Sequence, residues 1–362
     1  MYWIGRRNLS IMDGIRQLFS RCRPKSVAFL CTKTNGSEKS KPMKTALGTM
    51  DIGIQVGLAE STELIKSYIE REQFEIDTAY MYGEGKTEQI LGQINLIRDP
   101  KVVLATKANP WSDKGLKYER VVEQMNTSLE RLQRTNVDFF YLHAPDHKTP
   151  VEESLKAVDD LHKAGKFKEF GLSNYASWQV AEVYYLCKQN NYVLPTLYQG
   201  MYNPFTRDVE KELFPCLRRL GIRFYAYNPL AGGILTGMYK YNDQFQKQPQ
   251  GRFFNESHWA PIYRSRYWKK PMFDNLDKIK KKLDEVYGTN RVSLTAASLR
   301  WMSYHSLMDA EHGDIIVLGG YLPKHVLENL QAVESAPLHK EVVMLFEDGW
   351  NQVKSECNSY FR

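Results

Sequence analysis

Residues 102–142 read VVLATKANPWSDKGLKYERVVEQMNTSLERLQRTNVDFFYL, which shows a strand, a helix and a second strand in succession. The runs VVLAT (102–106) and VDFFYL (137–142) are rich in the β-branched and aromatic residues that favour strands. Between them, residues 118–132 place a set of apolar side chains on one helical face: Val121, Val122, Met125, Leu129 and Leu132. A helix of this length between two strands predicts a βαβ unit, in which the strands are parallel.

The same pattern extends in both directions along the chain. Another helix is predicted at Val151–Lys163, and strands are predicted at Ala46–Met50, Phe74–Thr78, Val102–Thr106, Val137–Leu142, Phe167–Ser173, Pro195–Gln199, Ile222–Tyr227 and Ile315–Gly319. Eight strand–helix units close a (β/α)8 TIM barrel, whose usual length is about 250 residues. The sequence therefore predicts an α/β protein with this fold.

Two segments exceed what the eight units need. Residues 231–314, between the seventh and eighth strands, hold a loop rich in Gly, Pro and Gln, the aromatic and basic stretch Trp259–Lys270, and two further predicted helices. A long connection of this kind is typical of a lid. The segment after Leu338 is predicted to form one more helix. Residues 44–362 are therefore expected to form one barrel with a long lid insertion and a C-terminal helix.

Basic residues are concentrated at the N-terminus. Residues 1–43 hold nine basic and two acidic residues, which accounts for the whole net charge of +7. The neutral remainder gives no electrostatic reason to expect binding to nucleic acid. An Arg-rich, acid-poor start with Ile11, Ile15 and Leu18 at helical spacing is typical of a mitochondrial targeting segment. The alternative is a disordered extension upstream of a translation start at Met43, which would leave the protein in the cytoplasm.

The composition argues against several other classes of protein. The chain is 43% hydrophobic and 25% charged, as in globular proteins, and no apolar run is long enough to cross a bilayer. Its five cysteines are widely spaced without a Cys-x-x-Cys pair, which fits neither a disulfide framework nor a zinc cluster. His143 and His147 lack a third ligand in the sequence, so no metal site is predicted.

Reactive side chains follow the predicted strands, at the ends where barrel enzymes build their active sites. Asp77 and Lys107 end the second and third strands, His143 follows the fourth, and Tyr82 lies in the loop after the second. A free tyrosine has a pKa of about 10, and a neighbouring ammonium favours the phenolate, so we expect Lys107 to lower the pKa of Tyr82. Asp77 would hold Lys107 charged, and His143 would hydrogen-bond a carbonyl oxygen. Together they predict an acid for carbonyl reduction.

Longer motifs around these residues carry a family resemblance. FEIDTAYMYGEGKTE (74–88), VDFFYLHAPDH (137–147) and FYAYNPLAGGILTGMYKY (224–241) are similar to the aldo-keto reductases, and most of all to their aflatoxin B1 aldehyde reductase branch. The resemblance implies a (β/α)8 barrel that reduces aldehydes and ketones with NADPH. It also implies a catalytic tetrad with tyrosine as the acid: Asp77, Tyr82, Lys107 and His143.

The resemblance assigns further residues to the cofactor and the substrate. The residues implied to bind NADPH are Ser173, Asn174, Gln199, Tyr227, Asn228, Leu230, His325 and Asn329. Of these, Tyr227 is implied to stack on the nicotinamide. Members of the branch accept short aldehydes that carry a carboxylate, such as succinic semialdehyde, which demands a cation near the pocket. The side chains expected around the substrate are Met81, Trp111, Arg266 and Arg362.

One segment departs from the branch. After the eighth strand this chain reads Gly-Gly-Tyr-Leu at residues 319–322, where Gly-Met-Ser-Ser is usual. Lys324 is followed by His325, where the branch has glutamine. In the family this segment holds the adenosine end of the cofactor and its 2′-phosphate. A weaker preference for NADPH over NADH is therefore expected.

Two functions stay open at this point. The first is an NADPH-dependent aldehyde reductase that forms a homodimer and binds neither nucleic acid nor membranes. The second is a non-catalytic, nicotinamide-binding regulatory subunit of the potassium-channel β type, because one fold serves both functions. The complete tetrad favours the enzyme.

Overall fold

The computed structural model describes residues 41–246, 248, 251–254 and 259–362. Its strands are β1 (Lys44–Gly48), β2 (Glu75–Asp77), β3 (Val103–Ala108), β4 (Val137–Leu142), β5 (Phe167–Ser173), β6 (Pro195–Met201), β7 (Arg223–Tyr227) and β8 (Ile315–Leu318). They form a closed parallel barrel in sequence order, since β1 pairs with both β2 and β8. The predicted (β/α)8 barrel is confirmed. Residues 1–40 of the predicted leader lie outside the described part of the chain.

Helices surround the barrel and occupy the insertion. They are α1 (Leu58–Ile69), α2 (Lys86–Gln93), α3 (Tyr118–Leu132), α4 (Val151–Lys163), α5 (Ser177–Gln189), α6 (Leu213–Leu220), α7 (Asp243–Gln246), α8 (Trp259–Tyr267), α9 (Lys270–Tyr287), α10 (Leu294–Arg300), α11 (Pro323–Glu334) and α12 (Lys340–Val353). Short 3-10 turns lie at Tyr82–Gly85, Asn95–Arg98, Asp208–Glu210, Ala231–Thr236 and Lys354–Glu356, and a π-helical turn lies at Trp301–His305. Of the helices described, none is both long and apolar enough to cross a membrane.

The element bounds follow the sequence pattern closely. The helices α3 and α4 and the strands β4 and β5 begin and end where periodicity and strand propensity predicted. The strand β6 runs past Gln199 to Met201, because Met201 still pairs with Tyr227 of β7. Pairing with a neighbour, rather than composition, therefore sets that end.

Two layers of apolar side chains stabilise the barrel. The inner layer consists of Ala46, Ala105, Phe139, Tyr141, Leu197, Tyr225, Ile315 and Val317, and a larger layer lies between strands and helices. Because both faces of each strand are covered, the strands read as nearly continuous apolar runs. Tyr141 packs closely on Gly171, where a Cβ atom would lie 2.3 Å from the tyrosine ring. The centre of that ring is 5.7 Å from Lys107 Nζ, so the inner layer supports the strand ends directly.

The predicted lid insertion is present between β7 and β8. It contains α7 to α10, and two of its segments reach the loops at the carboxyl ends of the strands. Arg252 forms an ion pair with Asp51 after β1 (Nη2 to Oδ2, 2.6 Å). The ring centre of Trp259 lies 6.0 Å from that of Trp111, which is in the loop after β3. The insertion therefore covers part of the barrel mouth, while the C-terminal helix α12 packs against α9.

Glu75 is buried at the opposite end of the barrel. It accepts a hydrogen bond from Tyr225 (Oη to Oε2, 3.1 Å). Burial raises the pKa of Glu75 to about 7, and the negative charge of Glu169 raises it further. The hydrogen bond from Tyr225 and the positive charges of Arg223 and Lys44 offset this only in part. The folded protein therefore keeps a proton that the unfolded chain releases at a pH nearer 4.5.

Replacement of Glu75 by glutamine is expected to stabilise the protein at high pH. With a raised folded-state pKa, the wild type loses stability as the pH rises from about 4.5 to 7, and the amide does not. We expect urea unfolding to show Glu75→Gln more stable by about 1–3 kcal/mol at pH 8, with little difference at pH 4.5. A variant less stable than the wild type at pH 8 would contradict this prediction.

Candidate active site

A buried ion pair lies among the carboxyl ends of the strands. Lys107 on β3 donates from Nζ to Asp77 Oδ2 on β2 and to the main-chain oxygen of Thr78, each at 2.7 Å. Gln199 on β6 donates from Nε2 to the second carboxylate oxygen of Asp77, at 2.9 Å. The carboxylate is therefore held from two sides of the barrel.

The ion pair controls the charge of the lysine. Lys107 is fully buried, and burial lowers the pKa of its ammonium group. The charge and the hydrogen bond of Asp77 act in the opposite direction. Since a buried ammonium without an anion tends to lose its proton, Asp77 favours the cationic form of Lys107.

Tyr82 approaches this pair from the loop after β2. It begins the turn Tyr82–Gly85, in which Gly83 and Glu84 have φ angles of 54° and 56°. The centre of the phenol ring lies 5.2 Å from Lys107 Nζ. Burial raises the pKa of Tyr82 well above its usual value of 10.0. The expected lowering of the Tyr82 pKa is therefore wrong for this structure, because burial and the negative charge of Asp77 both disfavour the phenolate.

His143 follows β4 and lies beside the phenol. Its ring centre is 5.8 Å from that of Tyr82 and 5.0 Å from that of Trp111. Burial lowers the pKa of His143 well below 6.5, and the charges of Lys107 and Arg362 lower it further, so the imidazole is neutral at physiological pH. Its Nδ1 atom is buried and has no hydrogen-bond partner in the part of the chain that the structure describes.

The residues expected to hold the nicotinamide adjoin this group. Asn174, just after β5, has a left-handed backbone conformation with a φ angle of 62°. Its amide donates to the main-chain oxygen of His143 (2.8 Å) and accepts from Tyr227 (Oη to Oδ1, 2.7 Å). It also donates to Ser173 Oγ (3.0 Å), so the hydroxyl hydrogen of Ser173 can point elsewhere. These bonds fix the ring of Tyr227 at the mouth.

Asn228 and Leu230 lie in the loop after β7. Asn228 has a φ angle of 54° and donates to Tyr267 of the lid helix α8 (Nδ2 to Oη, 3.2 Å). Leu230 precedes the turn Ala231–Thr236, whose two glycines also have positive φ angles. The loop is therefore tightly turned and attached to the lid.

The two remaining cofactor candidates lie beside the end of β8. His325 is in the first turn of α11, with its ring centre 5.2 Å from that of Tyr321. Asn329, one turn further, donates to the main-chain oxygen of Gly319 (3.2 Å). The structure thus places these residues on the segment whose sequence departs from the branch.

The residues expected around the substrate line the outer part of the mouth. The guanidinium of Arg362 lies 5.3 Å from the ring centre of Trp111 and 5.4 Å from that of Trp259. Burial lowers the pKa of Arg362, and the charge of Arg266 on α8 lowers it further. Met81 directly precedes Tyr82 in the loop after β2. Arg362 therefore contacts Trp111 and is affected by the charge of Arg266, whereas Met81 takes part in neither interaction.

Sequence reasoning missed several residues at this mouth. Arg252, besides its ion pair with Asp51, donates to the hydroxyl of Tyr263 (3.3 Å), and its charge acts on the phenol of Tyr82. Trp259 is the second aromatic neighbour of Arg362. The available signal was the aromatic and basic composition of the lid, which does not show which side chains turn towards the barrel.

The arrangement defines a class of enzyme. One protonated phenol can donate a proton, and one neutral imidazole can hydrogen-bond an oxygen beside it. The adjacent serine, amide and tyrosine groups suit a planar ring. Within the described residues, no three His, Cys, Asp or Glu side chains are grouped to hold a metal ion. A barrel with these groups at its strand ends has the site of a carbonyl reductase.

Comparison with known proteins agrees with that class. The protein-family sequence model described as "Aldo/keto reductase family" matches residues 44–350. Aflatoxin B1 aldehyde reductase member 2 of Mus musculus is 52% identical over 321 residues, which cover 88% of this chain and 87% of that protein. Aflatoxin B1 aldehyde reductase member 4 of Homo sapiens is 50% identical over 320 residues, covering 88% of this chain and 96% of that protein. The chain belongs to the aldo/keto reductase family, and it is an oxidoreductase.

The family predicted from the sequence motifs is confirmed by these matches. Both relatives bear the names of reductases, so the alternative of a potassium-channel subunit is not favoured.

Breaking the buried ion pair on one side is expected to destabilise the barrel. Lys107→Met leaves the carboxylate buried without its cation, and Asp77→Asn leaves the ammonium without its anion. Each is expected to lower the free energy of unfolding by about 3 kcal/mol in urea unfolding. The double variant leaves no unpaired charge, so its loss is expected to be smaller than the sum of the two single losses. Additive losses would contradict the pairing.

Proposed function

We propose that this protein catalyses the NADPH-dependent reduction of aldehydes, and also of ketones, to alcohols. Its substrates include short aldehydes that carry a carboxylate, and dialdehydes. The observation that supports this most directly is that Tyr82, His143 and the pair of Lys107 with Asp77 lie together at the strand ends. When bound, the cofactor supplies a hydride to the carbonyl carbon.

Tyr82 supplies the proton. Because burial raises its pKa, the phenol stays protonated at physiological pH. An alkoxide is more basic than a phenolate, so the proton moves to the substrate oxygen as negative charge develops there. Lys107, with its ammonium 5.2 Å from the ring centre, then stabilises the phenolate that remains.

His143 orients the substrate oxygen. A neutral imidazole carries one N–H donor, whereas an imidazolium beside Lys107 would add a second buried positive charge. The lowered pKa of His143 keeps the neutral form. The rings of His143 and Tyr82 are neighbours, with 5.8 Å between their centres, so one carbonyl oxygen can meet a ring nitrogen of His143 and the hydroxyl of Tyr82.

The residues at the mouth fit a nicotinamide. Its carboxamide offers one acceptor and one NH2 donor group. The hydroxyl hydrogen of Ser173 can serve the acceptor. Gln199 bonds Asp77 through Nε2, which leaves its Oε1 to receive the donor. Tyr227, fixed by its 2.7 Å hydrogen bond to Asn174, offers a ring face for stacking.

Replacement of Tyr82 by phenylalanine tests this mechanism. Without the hydroxyl no group at the site supplies the proton, and we expect kcat for succinic semialdehyde to fall by about 10²- to 10⁴-fold. Loss of NADPH absorbance measures the rate, and thermal unfolding checks that the variant is folded. Turnover at the wild-type rate would falsify the assignment of Tyr82 as the acid. NADPH binding without turnover by the wild type on any aldehyde would favour a binding module.

The 2′-phosphate of NADPH requires cations at the adenosine end. The side chain of Lys324 is 80% exposed and has its nearest carboxylate, Glu328, at 3.8 Å. His325 lies next to it. A Cβ atom at Gly319 would meet nothing within 4 Å, so the backbone there borders open space. We propose that Lys324 and His325 recognise the phosphate in place of the hydroxyls that the branch usually has.

Charge reversal at residue 324 tests this role. We expect Lys324→Glu to raise the Kd for NADPH by about tenfold and to change the Kd for NADH much less, because NADH has no 2′-phosphate. Protein fluorescence titration measures both constants without turnover. Lys340→Glu is the matched control, because Lys340 is an exposed lysine at the start of α12. An equal loss for both cofactors would contradict recognition of the phosphate.

A substrate carboxylate has two candidate receptors. Neither Arg266 nor Arg362 forms an ion pair with a carboxylate in the described part of the chain. Arginine binds carboxylates with two parallel hydrogen bonds, and the rings of Trp111 and Trp259 hold the guanidinium of Arg362 in place. We propose that these arginines bind the carboxylate at the end of the substrate far from the aldehyde.

The homodimer stays a prediction. The location also stays a prediction: residues 1–43 direct the protein to mitochondria, or the protein is cytoplasmic.

A further inference from the structure

The last residues of the chain lack regular secondary structure, yet they are attached at defined points. Residues 357–362, called the tail below, lead from the turn Lys354–Glu356 back to the barrel mouth. Tyr360 in the tail is only 4% exposed. Its hydroxyl accepts a hydrogen bond from the main-chain nitrogen of Ser177 (2.9 Å) and donates to Glu212 Oε1 (2.6 Å). One side chain thus joins the tail to the start of α5 and to the residue before α6.

Two main-chain bonds hold the tail further along. The nitrogen of Arg362 donates to the main-chain oxygen of Asn174 (3.1 Å). The main-chain oxygen of Arg362 shares a hydrogen bond with His147 Nε2 (3.2 Å). His147 is exposed, whereas Asn174 and Tyr360 are both buried. The anchor at Tyr360 and the bond to Asn174 therefore act together on the position of the last two residues.

We propose that Tyr360 is a positioning residue for carboxylate-bearing substrates, because its two hydrogen bonds keep the side chain of Arg362 against the rings of Trp111 and Trp259. The inference rests on the proposed role of Arg362 in binding the substrate carboxylate. Without the anchor the tail would sample many conformations, and Arg362 would occupy the pocket for a smaller fraction of time. The substrate would then have to order the tail when it binds, which weakens binding.

The hydroxyl of Tyr360 keeps its hydrogen bonds over a wide range of pH. Burial and the bond to Glu212 raise the pKa of Tyr360 to about 12, so the hydroxyl remains a donor throughout the pH range of an enzyme assay. The ring also contacts Phe361, with 5.1 Å between the ring centres. Phenylalanine at residue 360 would keep the apolar contact and remove only the two hydrogen bonds.

The variant Tyr360→Phe, assayed with two aldehydes, tests the proposal. The readout is the ratio of kcat/KM for succinic semialdehyde to kcat/KM for its uncharged methyl ester. We expect Tyr360→Phe to lower this ratio by about five- to tenfold, mainly through a higher KM for the acid. Arg362→Met is expected to lower it by about 10- to 100-fold. The double variant is expected to match Arg362→Met alone, since Tyr360 acts through Arg362.

Two further variants serve as controls. Tyr185→Phe removes a hydroxyl from an exposed tyrosine on α5 and is expected to leave the ratio unchanged. Glu212→Gln keeps an acceptor for Tyr360 and is expected to stay near the wild-type ratio, whereas Glu212→Ala is expected to resemble Tyr360→Phe. The Glu212 variants also test the anchor if Tyr360→Phe does not fold, which thermal unfolding reveals.

The outcomes separate this proposal from the proposed function. Equal losses for the acid and the ester in Tyr360→Phe would mean a purely structural role and would overturn the proposal. A lowered ratio in Arg362→Met with an unchanged ratio in Tyr360→Phe would overturn the positioning role alone. An unchanged ratio in Arg362→Met would overturn the carboxylate role of Arg362, and the positioning role with it.

Discussion

The buried ion pair of Lys107 and Asp77 is the constraint on which the rest of the site depends. Two charges removed from water need each other and further hydrogen bonds, because the loss of hydration is large for each ion. Asp77 and Lys107 come from the adjacent strands β2 and β3, and Gln199 from β6, so the complete arrangement requires both the pairing of β2 with β3 and the closed barrel. The requirement for pairing links the chemistry of the site to the folding of the sheet.

Burial then sets the protonation of the two groups beside the pair. It raises the pKa of Tyr82 and lowers that of His143, since in both cases it disfavours the charged form. The site thus has one buried cation, its anion and two neutral hydrogen-bonding groups. This differs from an acid made reactive by a lowered pKa. In the proposed mechanism, Lys107 matters less for the resting phenol than for the phenolate that remains after the proton has left.

Much of the fold could be predicted because each strand is a short apolar run that ends at a polar residue. The strands β4 and β5 and the positions of Asp77, Lys107 and His143 followed from that pattern alone. Interactions across the chain could not be predicted in this way. Asp51 and Arg252 meet only after folding. The predicted direction of the shift in the Tyr82 pKa was wrong, because burial raises this pKa. That burial depends on the lid and the loops, which have no periodic signal in the sequence.

The residues at the mouth come from two parts of the chain: the barrel itself, and the lid and tail. Asp77 and Lys107 lie in paired strands, whereas Tyr82, the proposed proton donor, lies in the turn after β2. The groups proposed to choose the substrate lie on the lid and the tail, which can change without disturbing the sheet. Asn174 joins the two sets, because its main-chain oxygen holds Arg362 while its side chain holds Tyr227. A displacement of the tail would therefore break the main-chain bond to Asn174, whose side chain orients Tyr227.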